Sequence, residues 1–255
     1  IGVSALMAST TASHNTAVGR TSLRKNTTGQ CNVAVGSNAS ACNTTASNNT
    51  AVGFSSLCAN TTGTPNVAVG NFSLCANTTG ASNTGVGFCA LRNNTEGNSN
   101  TGFGRSALQT NSTGVDNTAV GRNALINSTA SENTAVGSCA LRTNTTGSRN
   151  TAYGKDSLKA NTTGVNNTSS GYNSMGLNTE GTRNSAYGYS ALGSNTTGNC
   201  NTAIGCGSLG GNTTASNNTA LGFDSLKANT TGANNVAVGN LTLDANTTGS
   251  CNLGN

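Results

Sequence analysis

Few side chains in this sequence could do chemistry, and their spacing narrows what that chemistry could be. There is one histidine, His14. A Ser/His/Asp nucleophile or an imidazole-based metal site would have to be built on it. Either needs several partners held in one geometry, so His14 reads as a surface residue in a turn. The 7 acidic residues are scattered. Glu96 and Glu180 occupy equivalent places in an internal repeat, as do Asp156 and Asp224. Each pair is several repeats apart, roughly 19 Å or more if repeats stack at the inter-strand spacing. That exceeds the separation at which two carboxylates work on one glycosidic bond. No Gly-Lys-Ser/Thr marks a phosphate loop. No Cys-x-x-Cys marks a zinc site, and aspartate is too rare for a calcium-binding solenoid. The expectation is a protein that is not an enzyme and uses no cofactor or metal.

The groups that recur are polar or aromatic. In twelve of the fourteen turns that close the repeats, Asn-x-Ser/Thr acceptors fall at Asn26, Asn43, Asn60, Asn77, Asn111, Asn127, Asn144, Asn161, Asn195, Asn212, Asn229 and Asn246. They would place glycans in a row along one edge in a host that glycosylates secreted chains. The same residues also suit turn geometry and ladder hydrogen bonds, whatever the host. The paired threonines beside them, such as Thr27-Thr28, raise ice binding as an analogy of fold. Arg20, Phe54, Phe88, Arg105, Arg122, Lys155, Tyr172, Tyr189 and Phe223 share one repeat position. Exposed, such a row suits adhesion or sugar stacking; covered, it suits an inter-chain interface, where the same types are enriched. Cys58 and Cys75 hold equivalent positions in successive repeats, a separation compatible with a disulfide. Nine cysteines leave at least one thiol free or paired between chains. Cys89 and Cys139 read as free buried thiols.

What positions these groups is a repeat. Asn15-Thr16-Ala17-Val18-Gly19 returns along the whole chain, its Asn falling at 15, 32, 49, 66, 83, 100, 117, 133, 150, 167, 184, 201, 218, 235 and 252. Every step is 17 residues except 117 to 133, which is 16. With that Asn as position one, position four is apolar from Val18 to Val238, with Ser170 the exception, and position five is Gly from Gly19 to Gly239. Position eight is small, and position nine is Leu except at Ser40 and Met175. Asn-Thr-Thr-Gly follows, as at Asn26 to Gly29.

This pattern predicts a short strand at Asn-Thr-Ala-Val, a turn at the Gly, and a second short strand at the Ser/Ala-Leu pair. Asn-Thr-Thr-Gly is a turn in which Asn tolerates left-handed geometry. Helix is disfavoured by two Gly and two Asn per repeat. The expected fold is all-β: a parallel β-solenoid, or β-roll, of about fifteen 17-residue coils, on the order of 70 Å long at strand spacing. Val and Leu columns would form a thin apolar core, and Asn columns would satisfy their own amides. So thin a core implies oligomerisation.

Composition agrees. Charged residues are 7% and aromatics 4% of the chain, and the net charge of +5 forms no basic run. A nucleic-acid partner is not expected. No apolar run approaches the roughly 18 residues of a membrane span. Residues 1–255 read as one continuous array, cut through a longer fibre at both ends.

The run Asn133-Thr134-Ala135-Val136-Gly137-Ser138-Cys139-Ala140-Leu141, leading to Asn144-Thr145-Thr146-Gly147, resembles bacterial and phage tail-fibre repeats. It is also similar to the head repeats of trimeric autotransporter adhesins, which carry an Asn-Ser-x-Ala-Ile-Gly-type motif. This repeat is longer than the usual head repeat by the Asn-Thr-Thr-Gly turn. The resemblance implies a parallel β-roll assembled as a homotrimer, extracellular or exposed on a cell or virion, binding host-surface glycan or protein. A self-assembling matrix filament and a glycan- or ice-binding solenoid are the alternatives.

Overall fold

The computed structural model describes residues 1–254. The chain is an all-β parallel solenoid divided into two compact units, Ile1–Thr129 and Ala130 onward. The boundary falls in the one 16-residue coil. The first unit holds β1 (Thr16–Val18), β2 (Val33–Val35), β3 (Thr50–Val52), β4 (Val67–Val69), β5 (Thr84–Val86), β6 (Thr101–Phe103) and β7 (Thr118–Val120). The second holds β8 (Thr134–Val136), β9 (Thr151–Tyr153), β10 (Thr168–Ser170), β11 (Ser185–Tyr187), β12 (Thr202–Ile204), β13 (Thr219–Leu221), β14 (Val236–Val238) and β15 (Leu253–Gly254). Within each unit every strand pairs in parallel with the next, in register one repeat apart: Ala17 faces Ala34, and Ala152 faces Ser169. No helix is present among the described residues.

The coils also pair away from the strands. Asn38 N–H donates to Arg20 O at 2.9 Å, Leu57 N–H to Ser73 O at 2.9 Å, and Thr61 N–H to Thr78 O at 3.0 Å. A short coil cannot satisfy its own backbone, so stacking does it.

Two expectations are corrected. The Ser/Ala-Leu pair is not a second strand but a turn, with each leucine left-handed: φ is 47° at Leu23 and 50° at Leu57. That geometry costs roughly 1–2 kcal/mol for a non-glycine residue. It turns the side chain into the coil, where Leu23, Leu57, Leu91 and their equivalents are fully buried. Burying a leucine returns about 1.5–3 kcal/mol.

The second correction concerns position four. Val18 and its equivalents point outward, and the inward residue of each three-residue strand is the small residue before them, alanine from Ala17 to Ala237 except at Gly85, Gly102 and Ser169. A three-residue strand has one inward side chain at its centre. The gap it enters is narrow: a Cβ added at Gly102 would lie 3.2 Å from both Leu91 Cγ and Ala107 O. Alanine fills that gap and valine is too large for it.

Position five needs glycine for the same kind of reason. At Gly53 φ is 130°, and an added Cβ would meet Gly70 O of the next coil at 2.6 Å.

The remaining core is polar. Asn32 and Asn43 belong to one coil, and both donate to Ala46 O, at 2.8 and 2.9 Å. Asn32 Oδ1 accepts from Asn49 N–H at 3.0 Å, and Asn26 Oδ1 accepts from Asn43 Nδ2 at 2.7 Å. Two asparagine columns thus clamp each coil shut and tie it to the next. In the short coil Ser128, not Asn127, takes the buried ladder place. Ser40 Oγ and Asn111 Oδ1 are buried without a hydrogen-bond partner among the described residues.

Candidate functional site

Three outward columns carry the variation. The first is position four on the strand face. In the first unit it runs through valines to Phe103, and in the second through Tyr153, Tyr187, Ile204 and Leu221. Phe103 is 55% exposed and Leu221 is 44% exposed. Such a run of half-exposed apolar side chains is the type of patch that marks association.

The second column is position six, immediately after the glycine, and it is the predicted contact row. In the first unit Arg20, Phe54, Phe88, Arg105 and Arg122 are all exposed. Arg105 lies over the Phe88 ring, 5.9 Å from its centroid. Phe54 packs edge-on to Phe72, which stands one position further along the next coil, at 5.3 Å. In the second unit Lys155 sits 4.9 Å from the Tyr172 centroid. Tyr172 stacks on Tyr189 at 5.5 Å and 11°. Phe223 is exposed on the same row.

The third column is position ten. It holds Cys58, Cys75 and Arg92 in successive coils of the first unit. Cys58 and Cys75 are free thiols in hydrogen-bond contact. That bond and burial push the Cys58 thiol well up. The same bond pulls Cys75 down to about 7, with the Arg92 charge acting in the same direction against burial. Of the two thiols, Cys75 is the one whose ionisation the contact favours. Cys89 and Cys139 are buried free thiols.

In the second unit position ten turns to Gly176, Gly193 and Gly210. At Gly193 and Gly210 the missing side chains open a cleft of about 650 Å³ beside Tyr189, Phe223, Asp224 and Lys227. Asp224 is only 8% exposed and accepts a hydrogen bond from Lys227 Nζ at 2.8 Å. That bond raises the Lys227 pKa above its ordinary value. The motif reading passed over this place because it followed what repeats. The available signal was a glycine in three successive coils of a column that elsewhere carries a side chain in every coil, among them Arg92, Arg142, Lys159 and Lys227.

The glycan expectation is corrected for most of its residues. Asn26, Asn43, Asn60, Asn77, Asn111, Asn144, Asn161, Asn195, Asn212 and Asn229 are buried. Their Nδ2 atoms, where a sugar would be attached, are engaged inside the coil: Asn77 Nδ2 donates to Asn60 Oδ1 and Gly80 O, both at 2.9 Å. Asn246 is half-buried in the same ladder, and Asn127 is exposed. The first threonine of each turn is engaged, with Thr27 Oγ1 donating to Thr44 O at 3.0 Å, while the second, such as Thr28, Thr45 and Thr62, is exposed.

His14 is exposed and bonds only to its neighbour Ser13 Oγ, at 3.0 Å, among the contacts of the described residues. No group of three or more His, Cys, Asp or Glu among those residues could hold a metal ion. No helix there is long and apolar enough to cross a membrane. No family model, curated protein or solved structure matches the chain.

Proposed function

We propose that this chain is a non-enzymatic structural element of an extracellular fibre, the shaft or head of a structure on a cell or virion surface, with an adhesive role. Identical copies associate through the position-four face, as a homotrimer, and the position-six row meets the partner surface. The observation that carries the reading is the outward apolar column of the strands, from Val18 in the first unit and through Tyr187 and Leu221 in the second, interrupted only at Ser170 among the three-residue strands. A coil whose own interior is alanine, leucine and asparagine buries little apolar surface. Covering the outward column against a second copy supplies more.

The motif resemblance to trimeric autotransporter head repeats and tail-fibre repeats supports the same assembly. So does the repetition of one weak contact on successive coils, which is how a multivalent surface gains strength. The bulky Phe103, Tyr153 and Tyr187 break the plane of the strand face, which favours side-chain interdigitation between copies over the flat lattice match that ice would need.

Electron microscopy of the purified chain tests this. Uniform rods three chains thick support it. Single-chain particles at micromolar concentration would sink the trimer, and long end-to-end filaments would shift the reading to a matrix fibre.

A further inference from the structure

We propose that the glycine-floored cleft of the second unit binds one neutral pyranose ring of a surface glycan, stacked on the free face of Tyr189. The proposal rests on the adhesive reading above and gives it a place and a ligand class.

The coil from Asn201 to Asn217 is stripped on its outer side. Positions six, seven, ten and eleven are Cys206, Gly207, Gly210 and Gly211, where the next coil carries Phe223, Asp224, Lys227 and Ala228. Tyr189 stands one coil before this gap and Phe223 one coil after it. Two coil steps separate them, about 9.6 Å at the ordinary strand spacing. That opening accepts a saturated six-membered ring between two aromatic side chains. The alignment is held by the backbone: Gly207 N–H donates to Tyr189 O at 3.0 Å and Asp224 N–H to Cys206 O at 2.9 Å.

The ring of Tyr189 is already turned for stacking. One face lies nearly parallel against Tyr172, at 11°. The opposite face is directed along the column toward Cys206, whose side chain is too small to cover it, and Tyr189 is 59% exposed. The C–H bonds on one face of a pyranose, with their partial positive charge, suit the negative face of such a ring.

The polar groups of the cleft fit hydroxyls rather than a charged ligand. The Asp224 carboxylate sits against Gly207, where an added Cβ would collide with Asp224 Oδ1. It is nearly buried, and its other oxygen holds Lys227 at 2.8 Å. The pair is neutral as a unit, so neither an anion nor a cation gains from it. A sugar gains from both members: a hydroxyl donates to the carboxylate, and a second accepts from the ammonium. A mostly apolar pocket with a few convergent polar groups is the usual form of a small-ligand site.

The test uses the whole chain under reducing conditions, because Cys206 is an exposed thiol. Saturation-transfer NMR is recorded with methyl glycosides of glucose, galactose, mannose and N-acetylglucosamine. At least one is expected to receive saturation from the protein. Cys206→Phe places in the gap the residue found at Phe223, an exposed position where it does not disturb the coil, and should abolish the transfer. Tyr189→Ala should reduce it at least fivefold, and Arg142→Ala, outside the cleft, should leave it unchanged. No transfer to any glycoside from folded protein overturns the proposal. So does transfer that survives Cys206→Phe, or stronger transfer to indole than to every glycoside. The same samples are imaged. Rods without sugar binding overturn the cleft alone, and sugar binding by single-chain particles supports the cleft while overturning the assembly.

Discussion

Asn43 Nδ2 donates to Asn26 Oδ1 at 2.7 Å, across one coil step, with both side chains fully buried. The bond repeats at Asn60, Asn77 and Asn94. A residue that reads as a turn former is thus a core residue, and the column behaves like a stacked amide ladder.

Removing one rung should be costly. Asn60→Ala deletes the donor to Asn43 Oδ1 and the acceptor of Asn77 Nδ2. Buried polar groups left unmade cost about 1–3 kcal/mol each, so a loss of about 3 kcal/mol is expected. Urea melts with amide exchange around residues 43–77 measure it. Asn127→Ala, at an exposed place, should change stability by less than about 0.5 kcal/mol.

Chemical glycan occupancy should follow burial. When the chain is secreted from a glycosylating host, peptide mapping of the folded fraction is expected to find sugar at Asn127 and none at Asn60, Asn77 or Asn161. A glycan at Asn77 in folded protein would contradict the ladder.

Ser40 stands in the leucine column with a buried, unpartnered hydroxyl. Ser40→Leu should restore the rung and raise stability by about 2 kcal/mol, through apolar burial and loss of the orphan group. A fall in the denaturation midpoint would show that this coil has closed around the smaller side chain.

Cys75 is lowered to about 7 by the Cys58 hydrogen bond, with help from Arg92. A thiol lowered in this way gains its reactive thiolate as pH rises through that value. Alkylation by iodoacetamide should reach half its plateau rate near pH 7 at Cys75, and Arg92→Ala should move that midpoint upward. Equal rates at Cys75 and Cys58 across the range would refute the pairing.

The period, the coil and the parallel register were all legible in the sequence, because a 17-residue repeat with a fixed Gly and Leu allows few other folds. The inward residue was not. Hydropathy puts Val18 inside ahead of Ala17, yet the space beneath the strand is set by the Leu turn one coil away, and only a small side chain fits. The Leu turn itself was misread as strand, because left-handed φ at leucine has no signature in residue type. The contact row was legible as the place where repetition stops. The cleft beside it was not, since it is made by side chains that are missing, at Gly193 and Gly210, and needs the neighbouring Tyr189 and Phe223 to give it walls.

The position-four column is the structural basis of the proposed assembly, and solution mass tests it most directly. Sedimentation equilibrium is run on the chain and on the double variant Val52→Lys, Val69→Lys, which charges an outward face without touching the alanine core. The account predicts three chains for the native protein and one for the variant, with unchanged β-sheet circular dichroism. A native protein that sediments as one chain, or a variant that keeps the native mass, would contradict it.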